Sequence, residues 1–253
     1  MKSYEQLMVD AIQLRRRLGE DANSPIDIFA IAQSIDRLTI VYYPMGDNLS
    51  GMCIKSDRNN NIIAINSTMT VGRQRYSMAH EFYHLFLDEN MSAVCAKAIG
   101  TGCDTEREAD VFASYFLIPA AELLQKADEK KSRNEDHKLS IRDVISLEQY
   151  FGVSHQAMII RLKQDRLMDP IDIESIRSVS VKRLASSIGY DTSLYSPLPV
   201  DKQYKTYGYY IDQVETLRER NLISSGKYEE LLLTAFRSDI VYGDIEEGGE
   251  LID

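Results

Sequence analysis

Apolar and polar positions along this chain alternate in two rhythms. Residues 4–18 set Leu7, Met8, Ile12, Leu14 and Leu18 between charged side chains, the spacing of an amphipathic helix. Ser24-Pro25-Ile26-Asp27 reads as a second helix start, with Ser24 as cap, Pro25 in the first turn and Asp27 near the positive end of the dipole. That helix should end near Ile35. Residues 38–43 (LTIVYY) are β-branched and aromatic and predict a strand. Shorter strand-like runs follow at 51–55 and 61–66, and the polar stretch 56–60 between them suits a hairpin turn. Residues 71–87 predict a helix. Another runs from Cys103-Asp104-Thr105 to Ile118, and Pro119 stops it and opens a further one to about Ala127.

The pattern then changes. Residues 128–138 (DEKKSRNEDHK) carry almost no apolar side chain and read as an exposed linker. Residues 140–150, 151–153 and 154–167 read as helix, turn, helix. Beyond a mixed segment and Ser196-Pro197-Leu198-Pro199, helices are expected over about 202–220 and 226–236, with an acidic, frayed end at 244–253. The chain thus divides into a core over 1–127, a linker with a helix-turn-helix-like segment over 128–168, and a mainly helical region over 169–253.

Composition narrows the class. The chain has 253 residues, 44% of them apolar and 27% charged, which is ordinary for a globular protein. No apolar run is long enough for a membrane span, and residues 1–10 lack the layout of a signal peptide, so a soluble, cytoplasmic protein is expected. A net charge of −10 disfavours nucleic acid as a partner of the surface as a whole. Cys53, Cys95 and Cys103 are too few, and odd in number, for a disulfide framework. They read as small, semi-buried residues.

The chemistry lies in the helix over 71–87. His80-Glu81-Phe82-Tyr83-His84 fits H-E-x-x-H. On a helix, positions i and i+4 share a face, so both imidazoles can reach one zinc ion. Glu81 beside them suits a general base toward a metal-activated water. A third ligand is needed, and two carboxylates compete for it in the following helix. Glu106 and Asp110 are spaced i, i+4, so Glu106 can ligate while Asp110 orients a ligand imidazole. Glu108 points roughly 200° away from Glu106 and reads as a surface carboxylate. Tyr76, four residues before His80, is a candidate oxyanion stabiliser as well as a packing aromatic. His137 and His155 read as surface residues.

Two blocks carry a resemblance. Residues 72–84 (GRQRYSMAHEFYH) and 106–119 (EREADVFASYFLIP) resemble the ImmA/IrrE family of metallopeptidases, in the family's order and with a plausible loop between them. The resemblance implies an α+β, zincin-like fold with a small antiparallel or mixed sheet over 1–127, followed by helices. It implies one zinc ion held by His80, His84 and Glu106, with Glu81 as base. It also implies a protein substrate in trans, a helix-turn-helix transcriptional repressor whose cleavage relieves repression. One departure is Phe82-Tyr83, where a small or glycine-containing pair is commoner and a narrower site is expected. No fused amino-terminal DNA-binding domain is expected, nor a sensor domain after Asp169.

Two expectations concern how partners would bind. Residues 61–66 (NIIAIN) precede the metal helix and could offer a free strand edge to an extended peptide, the alternative being an internal strand. The helix-turn-helix segment could read DNA, dock a partner or simply pack. Its second helix carries Arg161, Lys163 and Arg166 but also Asp165, and packing is favoured. The alternative to an enzyme is a metal-containing regulator that binds a repressor or DNA without cutting.

Overall fold

The computed structural model describes residues 2–46, 48–56, 60–89, 92–96 (main chain only), 99–100 and 102–243. Helix α1 (Tyr4–Arg17) is opened by a capping box in which Ser3 and Gln6 exchange side-chain and main-chain bonds. Its buried positions Leu7, Ala11 and Leu14 lie at helical spacing. Helix α2 (Ile28–Ser34) begins three residues later than Ser24-Pro25 suggests. Asp27 is its cap, accepting from the Phe29 and Ala30 amides, while the Ser24 carbonyl accepts instead from Arg15.

Strands β1 (Leu38–Tyr43), β2 (Leu49–Ile54) and β3 (Asn61–Asn66) follow, then helix α3 (Val71–Phe86), strand β4 (Ser92–Ala96) and helix α4 (Asp104–Leu117). The central turn of the expected β2–β3 hairpin lies outside the described residues, but the strands pair antiparallel, Cys53 opposite Ile63. Among the described residues the sheet has the order β4-β2-β3-β1-(205–208), with β1 and β3 parallel and the other pairs antiparallel. β3 is therefore interior, hydrogen-bonded on both sides. The expectation that 61–66 offers a free edge is corrected: its apolar positions Ile63 and Ile65 are fully buried, as suits a central strand.

Helix α5 (Ala120–Lys131) runs four residues past Ala127 into the expected linker. Helices α6 (Ile141–Phe151) and α7 (His155–Gln164) form the anticipated pair, capped by Ser140 and Ser154. Gly152 closes α6 with φ 65, a left-handed conformation that favours glycine. Its carbonyl accepts from Arg75 Nε at 2.8 Å, which ties the turn to α3. Val144, Leu147, Val153, Met158 and Leu162 are fully buried in the main core, and so is Arg161. The Arg161 guanidinium binds Asp165 at 2.7 Å and lies over the Tyr115 ring. These helices thus pack on the body of the protein.

Helices α8 (Pro170–Arg177) and α9 (Val181–Ser187) come next. The helix expected over 202–220 is strand β5 (Lys205–Gly208) followed by helix α10 (Tyr209–Glu219). β5 pairs antiparallel with β1, Tyr207 opposite Ile40, so the last third of the chain completes the sheet. Helices α11 (Ser225–Thr234) and α12 (Ser238–Tyr242) close a small second cluster around Val214, Tyr228 and Leu232. Residues 244–253 lie outside the described residues. No helix among those described is long and apolar enough to cross a membrane.

Candidate functional site

Helix α3 lies on the β2–β3 face of the sheet and against α4. Its inner stripe explains why. Met78, Ala79 and Phe82 are fully buried, and the Phe82 ring meets Phe86 and Phe116 edge-on at 5.8 Å. The pair Phe82-Tyr83 is spent on packing. Tyr83 points to the amino terminus, and its hydroxyl donates to Glu108 at 2.5 Å. Glu108 also accepts from the Lys2 amide at 2.6 Å, so it fastens the chain's start and faces away from the histidines.

His80 and His84 project from the same face of α3, and Glu106, from the first turn of α4, reaches between them. The Nε2 atoms of the two histidines lie 3.3 Å apart, and each is 3.3 Å from an oxygen of Glu106. The other ring nitrogen of each histidine faces a carboxylate, Asp110 at 3.0 Å for His80 and Asp88 at 2.8 Å for His84. Each Nδ1–H donates there, which fixes the tautomer and leaves both Nε2 lone pairs turned inward. Three acceptors then converge on one point with no donor between them. That arrangement is repulsive on its own and suits a metal ion.

Charge agrees with geometry. Four carboxylates, Glu81, Asp88, Glu106 and Asp110, surround two imidazoles. Burial disfavours a charged His80, but the bonds to Asp110 and Glu106 outweigh it and push its pKa up to about 10 when protons are the only cations. His84 moves up for the same balance of causes, Glu106 and Asp88 prevailing over burial. Burial works against ionised Glu106, yet the two histidines bring it down to about 2. The cluster is built to hold positive charge, whether protons or a metal ion.

Glu81 is fully buried and occupies the flank of α3 that meets β2. A methyl group on Gly51 would lie 2.5 Å from its Oε1, so the strand approaches the carboxylate as closely as only glycine permits. Tyr76 is placed differently from its catalytic reading. Its ring is buried and its hydroxyl donates to the Asp110 carbonyl at 2.7 Å. The single hydroxyl proton is committed there, so Tyr76 braces α3 against α4 and is not offered to a substrate oxygen.

Asp110 sits where its spacing from Glu106 suggested, and it also accepts from the Gly100 amide. Sequence reasoning passed over Asp88 and Gly51. Asp88 is four residues beyond His84, the same i, i+4 signal that selects the histidines. Gly51 carries no such signal. His155 is not a surface residue: its Nδ1 meets the buried Glu148 carboxylate and its Nε2 the Ile176 carbonyl at 3.0 Å. His137 is exposed. Burial, and after it the nearby Glu81 carboxylate, pushes the Cys53 thiol up to about 12; Cys103 is exposed, and the Cys95 side chain lies outside the described residues.

A comparison with curated proteins gave no match. Residues 38–163, from β1 to the last turn of α7, match the model of a peptidase family described as the IrrE N-terminal-like domain. The match covers the two helices that carry His80, His84 and Glu106, the β2 strand that abuts Glu81 and the α6–α7 pair. Through this domain, with its small mixed sheet beside the histidine-bearing helix, the chain belongs to the ImmA/IrrE family of peptidases.

Proposed function

We propose that this protein is a cytoplasmic, zinc-dependent endopeptidase that cuts a separate protein, a helix-turn-helix transcriptional repressor, and so relieves repression. One observation carries the chemistry: His80 and His84 Nε2 lie 3.3 Å apart, each 3.3 Å from a different oxygen of the Glu106 carboxylate, beside a buried Glu81. Two imidazoles and one carboxylate are a donor set that suits zinc. Three protein ligands would leave room for water or substrate, which distinguishes a catalytic zinc site from a structural one.

A zinc ion held there would supply Lewis acidity, lowering the pKa of a water and polarising the scissile carbonyl. Glu81 is the base that would take a proton from the attacking water as its oxygen bonds to the carbonyl carbon. It then returns the proton to the amide nitrogen as the C–N bond breaks. Asp110 and Asp88 keep His80 and His84 in the ligating tautomer throughout.

An extended substrate needs a strand edge, and β3 is interior. The nearest edge to Glu81 belongs to β4, where Cys95 pairs with Gly51, the residue packed on the Glu81 carboxylate. The repressor as target is what the family resemblance supports. The net charge of −10 and the packed Arg161 favour a protein partner over DNA. Purified protein incubated with its helix-turn-helix repressor, sought first among adjacent genes, should cleave at one site, stop on chelation and resume on adding zinc. A repressor left intact by the zinc-loaded protein while forming a stable complex with it would instead mark a binding regulator.

A further inference from the structure

At the β1–β5 end of the sheet, between α2 and the amino-terminal turn of α3, is a cavity of about 370 Å³. Its walls come from both ends of the chain. Phe29 of α2, Tyr42 of β1 and Tyr207 of β5 line it, each neighbouring pair of rings packed edge-to-face at 5.9 and 6.0 Å. Gln74, in the second turn of α3, contributes to the wall and is fully buried. Its Nε2 donates to the Ser67 and Met69 carbonyls at 3.1 and 2.7 Å, which fixes the amide's orientation. Oε1 is then a buried acceptor with no donor among the described residues. Native proteins seldom leave such a group unmet.

Two lysines stand at the same cavity and differ in their bonding. Lys205 pairs with Asp239 at 3.1 Å. Lys202 is exposed and makes no ion pair among the described residues. The cavity therefore combines an aromatic wall, a buried acceptor and an uncompensated cation. Its volume is at the small end for ligand sites, enough for one ring with a short side chain and too small for a folded peptide segment.

We propose that this cavity binds a small aromatic carboxylate, with its ring among Phe29, Tyr42 and Tyr207 and its carboxylate at Lys202. A ring hydroxyl would supply the donor that Gln74 Oε1 lacks. The ligand would bridge β1, β5 and the amino-terminal half of α3, six residues before His80. The proposal does not depend on the peptidase reading, because its test reads binding alone.

The test uses the full chain and two probes matched in shape, 4-hydroxyphenylacetate and its uncharged amide, titrated calorimetrically into wild type and Lys202→Ala. Lys202 is exposed, so its substitution leaves the core intact. The acid should bind wild type about three- to five-fold more tightly than the amide, the scale of a partly solvated charge pair. Lys202→Ala should bind acid and amide equally. Three results would each overturn the proposal: no saturable binding of either probe up to millimolar concentration, which makes this a water-filled cavity; equal binding of acid and amide by wild type; or a preference for the acid that survives in Lys202→Ala.

Discussion

Gly51 and Glu81 are in contact across the strand–helix boundary, and a Cβ at Gly51 would sit 2.5 Å from Glu81 Oε1 and 3.1 Å from the Ala64 carbonyl. One neighbour is main chain and cannot yield, so the carboxylate must. Gly51→Ala should therefore displace Glu81 while leaving the three ligand atoms alone. We expect turnover to fall by about 100-fold, the usual consequence of a misplacement near 1 Å. Zinc content and unfolding midpoint should stay close to wild type, measured by elemental analysis and thermal melting. Loss of zinc along with activity would contradict this division of labour.

The carboxylates behind the histidines should tune metal affinity. Asp110→Asn and Asp88→Asn each exchange a charged acceptor that fixes a ligand tautomer for a neutral amide, half of which is a donor. Each should weaken zinc binding by about 10- to 100-fold in a competitive chelator titration. Glu108→Gln is the control: its carboxylate faces Tyr83 and Lys2, so zinc affinity should not change.

Glu106 contributes a vertex of the triangle itself. Glu106→Ala should cost more than either outer carboxylate, at least about 100-fold in zinc affinity. The fold should persist, since Glu106 is at the rim and the α3–α4 contact rests on Phe82, Phe112 and Phe116. Circular dichroism beside the zinc titration checks both halves.

His155 makes stability depend on pH. Both ring nitrogens face acceptors, Glu148 and the Ile176 carbonyl. Burial opposes the charge, but Glu148 prevails and raises the pKa above the ordinary 6.5. A raised folded-state pKa means the stabilisation is complete below the unfolded value and is lost as pH rises through the folded one. The advantage of wild type over His155→Gln in urea midpoint should therefore be largest at pH 6 and below and shrink on the alkaline side. An advantage that grows with pH would contradict the pairing.

Most of this site could be read from the sequence because it rests on helical period. His80, His84, Glu106 and Asp110 follow from i, i+4 spacing on two helices whose apolar faces announce them, and the overlooked Asp88 continues the same spacing just past the end of α3. The misreadings are of another kind. Whether NIIAIN is an edge or a central strand depends on β1 and β2 closing on both its sides, which no local pattern encodes. Residues 205–208 looked like the start of a helix because their strand character comes from β1, more than 160 residues away. Tyr76 does share the face of His80, as its spacing implied. Period says where a side chain leaves the helix, not that the Asp110 carbonyl waits for its hydroxyl.

The most direct test of the central claim is co-expression with a helix-turn-helix repressor, any encoded beside this gene being tried first, comparing wild type with Glu81→Gln and following full-length repressor by immunoblot. The substitution keeps the side chain's shape beside Gly51 and removes its ability to take a proton. The account predicts that the repressor is lost with wild type, persists with Glu81→Gln, and that both proteins carry the same zinc. Equal loss of repressor with both proteins would show that Glu81 is not the base, and a repressor intact but held in a stable complex with zinc-loaded wild type would show that the protein binds without cutting.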